Sequence, residues 1–442
     1  MIEMTAMFED LIFPKGFQWG SAASAHQTEG GNHNSWSEWE KIPGKIKDGS
    51  NADIACDHYN RFETDFDLAK ELGHQVHRFS IEWSRIEPKR GKWNKKEMEH
   101  YRSVIKALTD RGIQPMMTLH HFANPLWFRD IDAWLNPDSP EMFGQYARKI
   151  AEAFSDLDII WNTINEPMVV VALGHLYGEF PPGISDFGKA QDAAKHLLMA
   201  HGQAATQIRE VYDSAGGKQP QIAPVISTTY FMPADPTNDD DVEMATYLDN
   251  LYNQVWIRGV VNAQIEELDG STTNYKPLEN SVDFIGVNYY SRMVVSSEVD
   301  ILAGEEPPKD PTLERCEGLD WEVYPEGYYH ILKSYWERYN KPIFLTENGI
   351  GTLDDSLRRR YLIYHLQQAH RAIQDGIGIR GYLVWSLTDN FEWAHGYESH
   401  FGLIEVAYET QERKPRESAY MFRDIIENNG LTKELQEKYL SQ

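Results

Sequence analysis

The chain has 442 residues, 41% of them apolar, and 68 acidic side chains against 42 lysines and arginines give a formal charge of −26. That charge repels phosphate backbones and anionic lipids, so a nucleic-acid partner is set aside and a polyanionic substrate disfavoured. No run approaches the ~18 apolar residues of a membrane span, and the two cysteines, Cys56 and Cys316, indicate neither a disulfide framework nor a zinc site.

In chain order, short apolar runs alternate with longer amphipathic stretches. Residues 17–22, 75–80, 113–119, 159–164, 221–226, 283–287, 342–345 and 380–385 read as strands. Helical spacing falls between them: Phe62, Phe66, Ala69 and Leu72 recur every three or four residues, Glu63, Asp67 and Lys70 face away, and Gly73 closes the helix. Eight such alternations imply parallel strands joined by crossover helices, and closure at eight is the (β/α)8, or TIM, barrel. No repeat, low-complexity block or Pro/Ser-rich linker divides the chain, so residues 1–442 read as one α/β domain, a single barrel with extended βα loops. Two long connections, residues 30–55 and 294–324, read as loops that shape the entrance to a site. The first ten residues lack the basic start and apolar stretch of a signal peptide, which points to the cytoplasm.

In this fold chemistry gathers at the C-terminal ends of the strands. Gln27 follows the first strand, Arg78 sits late in the second, and His120-His121 ends the third. Asn165-Glu166 ends the fourth, Asn288-Tyr289-Tyr290 the sixth and Glu347 the seventh, while Trp385 ends the eighth with Glu392-Trp393 beyond. Two glutamates at strand ends suit glycoside hydrolysis: one carboxyl group protonates the leaving oxygen, the other attacks or activates water. Gln, Asn, His and Glu exchange hydrogen bonds with hydroxyl groups, and Trp385, Trp393 and Tyr290 offer flat faces to a pyranose ring. Neighbouring His120 and His121 point to opposite sides of a strand end, so a shared metal is disfavoured; His121 reads as a sugar ligand and His120 as packing. Trp36, Trp83, Trp134, Trp161 and Trp256 read as packing. Cys56, beside Asp57-His58, reads as a buried structural thiol far from the rim. No phosphate loop or HExxH element occurs, and no cofactor or metal is expected.

Several segments together resemble glycoside hydrolase family 1, the β-glucosidase and β-glycosidase family. They are Phe13-Pro14-Lys15-Gly16-Phe17-Gln18-Trp19-Gly20, Gln27-Thr28-Glu29-Gly30, Arg78-Phe79-Ser80-Ile81-Glu82-Trp83, Thr163-Ile164-Asn165-Glu166-Pro167, Thr346-Glu347-Asn348-Gly349 and the run from Trp385 to Trp393. The likeness extends to about Phe422. It implies a retaining, exo-acting β-glycosidase, with Glu347 as nucleophile and Glu166 as acid/base. It further implies Arg78 and Tyr290 beside the nucleophile, and Gln27, His121, Asn165, Glu392 and Trp393 on the glycone hydroxyls. Asn288 would support the polar network, Trp385 the floor, Phe401 one wall, and Trp321 the aglycone side. The implied partners are small β-glycosides or oligosaccharides such as cellobiose, acted on by a monomer or homo-oligomer.

Two departures bear on substrate choice. Residues 121–125 are His-Phe-Ala-Asn-Pro where the family commonly has His-Trp-Asp-Leu-Pro, so Phe122 lacks an indole N–H toward the 3-hydroxyl. The branch that cleaves 6-phospho-sugars uses a serine, a lysine and a tyrosine where this chain has Glu392, Ser399 and Phe401, and a carboxylate there repels phosphate. A 6-phospho-β-glycosidase, a non-catalytic sugar-binding barrel and a metal-dependent barrel hydrolase are the competing readings.

Overall fold

The computed structural model describes residues 8–266 and 270–440. The stretch read for a leader begins in residues 1–7, which lie outside that description. Eight parallel strands close a barrel: β1 (Gln18–Ala22), β2 (Val76–Ser80), β3 (Gln114–His120), β4 (Ile160–Asn165), β5 (Ile222–Pro233), β6 (Ile285–Val295), β7 (Ile343–Asn348) and β8 (Ile379–Trp385). Each strand hydrogen-bonds its sequence neighbour, and β8 closes on β1 through Gly381↔Gln18 to Trp385↔Ala22. The (β/α)8 expectation holds. The principal helices are α1 (His58–Glu71), α2 (Lys95–Asp110), α3 (Ser139–Phe154), α4 (Phe187–Ala215), α5 (Val255–Asn262), α6 (Pro325–Tyr339) and α7 (Asp355–Gln374), which cross between strands, and α8 (Glu417–Asn428), which follows the last. Their starts are set locally: Asn94, Asp186 and Asp354 accept from backbone N–H groups in the first turns of α2, α4 and α7. No helix among the described residues is long and apolar enough to cross a membrane.

The barrel interior is apolar low down and polar above. Val76, Met116, Ala223, Phe284, Phe344 and Leu383 form one buried cluster with half-buried Ile160 packed against it, drawn from seven successive strands or the residue before them. On the eighth strand the same level is Gly20, paired with Val76 and Leu383. A Cβ on Gly20 would stand 1.7 Å from the Val76 carbonyl oxygen, so only glycine lets β1 and β2 approach here. Outside the strands, a larger core of helix and strand side chains buries Trp36, Trp83, Trp134 and Trp161 completely or nearly so.

β7 runs three residues past its expected end, to Asn348, and two strands run much further. β5 continues to Pro233 and β6 to Val295, paired as a ribbon from Tyr230↔Arg292 to Pro233↔Val295. Ser227-Thr228-Thr229 and Ser291-Arg292 break the apolar pattern there, so hydropathy does not mark the extension; each strand satisfies the other's backbone instead. Of the two long connections, residues 294–324 supply cavity wall, whereas residues 30–55 brace the last loop from beneath: Trp36 packs 4.8 Å from Trp393, and the Lys47 N–H donates to the Ala394 carbonyl at 2.8 Å.

Gly20→Ala is expected to destabilise the protein by about 3 kcal/mol or more, read as a lowered midpoint in urea unfolding.

Candidate active site

Arg78, wholly buried inside the barrel, organises the polar layer. Its Nε donates to Thr118 Oγ1 (3.1 Å) on β3 and Asn162 Oδ1 (3.2 Å) on β4, and one terminal nitrogen donates to Asn165 Oδ1 (2.6 Å). The other forms a short ion pair with Glu347 Oε1 on β7. Asn162 and Asn165 are three residues apart, so simple alternation would turn one of them outward. A register irregularity between them, against β5, allows both to meet the same guanidinium. A second irregularity falls between Leu345 and Glu347, against β6. Each glutamate therefore follows a break in its ladder.

Glu166 leaves β4 in a left-handed conformation, φ +46°, directly before Pro167 opens the next helix. This backbone region is costly for a non-glycine residue and aims the side chain into the barrel mouth. Its Oε1 accepts from Asn288 Nδ2 (2.9 Å), and Asn288 Oδ1 accepts from Thr346 Oγ1 (2.7 Å). Glu347 Oε2 accepts from the Tyr290 hydroxyl at 2.6 Å. The two carboxyl groups thus share one buried network but have different partners. Burial raises both; for Glu347, the Arg78 charge and then the Tyr290 hydrogen bond oppose that rise. Burial, followed by the Glu347 charge, pushes Glu166 up to about 8. Glu392 is also pushed to about 8, by burial and then by Glu347 and Glu166.

The tautomer of His121 follows from its neighbours. Arginine only donates, so Asn165 presents its oxygen to Arg78 and its NH2 group to His121 Nε2, 3.1 Å away. Nε2 is then the acceptor and Nδ1 carries the hydrogen. That Nδ1 is buried without a protein partner. Burial, reinforced by Arg78, holds the ring neutral.

Ten of the side chains named from the sequence, or their neighbours, line one cavity: His121, Phe122, Glu166, Tyr290, Trp321, Glu347, Trp385, Glu392, Trp393 and Phe401. His121 stacks between Trp385 and Trp393, 5.9 Å from each, and His26 stacks on Trp393 at 5.5 Å. Trp321, 36% exposed at the outer edge, stands 5.3 Å from Tyr290 and 6.4 Å from Phe401. Gln27, Arg78, Asn165 and Asn288 are fully buried behind this lining. Gln27 Nε2 donates to Asn390 Oδ1 (3.0 Å) and Glu392 Oε2 (3.2 Å), so its amide braces the final loop.

His120 turns from the cavity to Asn124 Oδ1 (3.0 Å) and the Trp134 ring. Trp256 is buried, yet it also contributes to the cavity wall. The Cys56 reading is corrected in part: the thiol is buried, but its Sγ donates to the Asp389 carbonyl at 2.9 Å, so it supports the loop carrying Glu392 rather than standing far from it. Burial drives that thiol upward, leaving it protonated and inert. Among the described residues no three His, Cys or carboxylate side chains gather as a metal would require.

Sequence reading missed Thr118, Asn162, Thr346, Ser227 and Tyr252. The first three are polar groups within otherwise apolar strands, which is a usable signal. Ser227 lay beyond the expected end of β5, and Tyr252 sits in a helical stretch with nothing to distinguish it.

A cavity with unequal buried carboxyl groups and stacked aromatic walls, at the C-terminal mouth of a (β/α)8 barrel, suits cleavage of a glycosidic bond; the class it points to is the glycoside hydrolases. The chain belongs to glycosyl hydrolase family 1, whose family model matches residues 10–431. Beta-glucosidase A of Thermotoga maritima is 36% identical, covering 95% of this chain and 98% of that protein. A beta-galactosidase of Pyrococcus woesei is 32% identical, covering 97% and 100%. The solved beta-glucosidase from Thermotoga maritima in complex with glucoimidazole superposes with a TM-score of 0.89 at 35% identity, over 95% of this chain and 100% of that one. The protein is an enzyme that hydrolyses glycosides, a β-glycosidase.

The raised carboxyl groups set a stability trend. A carboxyl held above its unfolded value favours folding below that value, and the benefit disappears as pH rises through the folded value. For Glu392 the window runs from about the ordinary 4.5 to about 8. Glu392→Gln is therefore expected to be more stable than wild type in urea at pH 8, with the difference shrinking toward pH 4.

Proposed function

We propose that this chain is an exo-acting, retaining β-glucosidase, with some activity on β-galactosides and β-fucosides. It removes terminal non-reducing glucosyl units from small β-glycosides or oligosaccharides such as cellobiose. The observation that carries this reading is the unequal treatment of two buried glutamates in one cavity. Glu347 is held by a cation and a phenol, whereas Glu166 is held by an amide and keeps its proton to about 8.

Glu347 attacks the anomeric carbon while Glu166 gives its proton to the glycosidic oxygen; the C–O bond breaks and its electron pair leaves with the alcohol. Esterified Glu347 no longer carries charge, so the repulsion that held the proton on Glu166 is gone. Glu166 then takes a proton from water, which attacks the anomeric carbon and releases Glu347 with net retention. The unpaired Nδ1–H of His121 supplies a donor to a glycone hydroxyl. Trp385, Trp393 and Phe401 wall the sugar, and Gln27 and Glu392 close the inner end, which supports action on terminal units. Phe122 brings no donor, which supports tolerance at the glycone, as does the pairing of glucosidase and galactosidase relatives. Glu392, Ser399 and Phe401 supply no cation for a phosphate, which disfavours a phosphorylated sugar.

Glu347→Gly is expected to lose turnover of p-nitrophenyl β-D-glucopyranoside by about three orders of magnitude or more, and azide is expected to restore it with an α-glucosyl azide product. Unchanged activity in the variant rules out the assigned nucleophile.

The pH profile separates the two groups near 8. Activity needs protonated Glu166, so kcat/KM falls as pH rises through about 8. Glu392 is itself neutral below about 8, so Glu392→Gln is expected to leave that fall in place. Glu166→Gln abolishes it for an activated aryl glucoside, measured over pH 5–9.

A further inference from the structure

The cavity is larger than one sugar needs, and the excess changes character away from the glycone end. Its volume is about 1290 Å³, beyond the roughly 300–1,000 Å³ that encloses a drug-sized ligand. Outward from Glu166 the wall is built by Met168, Leu173, Phe231, Leu251, Met293 and Ile301, drawn from separate chain segments. None of these side chains offers a strong hydrogen-bond partner, so a sugar hydroxyl turned toward them loses its water without replacement. Of the charged groups in the lining, Glu179 and Glu306 are solvent-exposed, whereas the side chains of Arg292 and Glu322 are buried and answer each other in a 2.7 Å ion pair.

Two of the wall segments are π-helical, Ala172–Leu176 and Asp249–Gln254. Such widened turns are rare and collect at functional sites. Here they carry Leu173 and Leu251 to the same space. The Tyr177 hydroxyl, just past the first of them, donates to the Ile301 carbonyl at 3.2 Å and ties on the short helix Ile301–Ala303. At the inner boundary the Tyr252 hydroxyl donates to Ser227 Oγ at 3.1 Å, where the polar floor ends.

We propose that the leaving group this chamber accepts is an extended apolar alcohol, alkyl or aryl, in preference to a second sugar. This rests on the β-glucosidase reading above, which fixes the glycone at the closed end and sends the aglycone outward. The alcohol oxygen takes the Glu166 proton as the anomeric C–O bond breaks, and the apolar remainder occupies the chamber.

The test is kcat/KM for methyl, butyl, hexyl and octyl β-D-glucopyranosides, beside cellobiose and p-nitrophenyl β-D-glucopyranoside. Leaving-group acidity is nearly constant from butyl to octyl, so that comparison reports contact with the chain. Burying one methylene is worth up to about fourfold. The octyl substrate is expected to exceed the butyl by more than about tenfold, and to exceed cellobiose. Leu173→Gln and, from a different segment, Leu251→Gln are each expected to cut the octyl-to-methyl ratio about fivefold. Turnover of the p-nitrophenyl substrate with a flat alkyl series, or with cellobiose preferred to octyl, overturns the chamber's assignment. No turnover of the p-nitrophenyl substrate overturns the β-glucosidase reading beneath it.

Discussion

One buried cation holds the barrel's mouth together. Arg78 reaches from β2 to β3, β4 and β7, and its partners include Glu347 and the asparagine beside Glu166. A guanidinium in an apolar interior is tolerated only when its donors are matched and its charge answered. Glu347 answers the charge, and two asparagines and a threonine take up donors. The requirement runs both ways, because a carboxylate at Glu347 needs that cation as much as the cation needs it. The apolar ring below, completed by Gly20, shields the group from the other end of the barrel.

From this arrangement follows the difference between two chemically identical side chains. Glu347 faces positive charge and a phenolic donor; Glu166 faces an amide and its neighbour's negative charge. Burial acts on both, and the local partners separate them. Glu392 enters the same field from the last loop, so any step that neutralises Glu347 is felt at two other carboxyl groups.

Much of the fold was legible because its strands are short apolar runs separated by amphipathic helices, and hydrophobic period reports that directly. The ends of β5 and β6 were not, since their extensions carry serine, threonine and arginine whose backbone needs are met by each other. The residues around the site could be named from their places at strand ends. What strand position and residue type alone did not show was how they face. The ladder irregularities before Asn165 and Glu347 alter which side of the strand a residue presents, and no residue type announces them. The engagement of Gln27 with Asn390 and Glu392, and of Cys56 with Asp389, likewise depends on a loop more than three hundred residues away in sequence. Tyr252 and the π-helical turn that contains it gave no pattern to notice.

The left-handed backbone at Glu166 sets chemistry against folding at a single residue. A side chain with a Cβ pays about 1–2 kcal/mol to sit there, and glycine does not. The position therefore favours, on conformational grounds alone, a residue that is useless as a proton donor. Random mutation under selection for heat resistance should drift toward glycine at 166, and under the acid/base role proposed for Glu166 the demand for turnover opposes that drift.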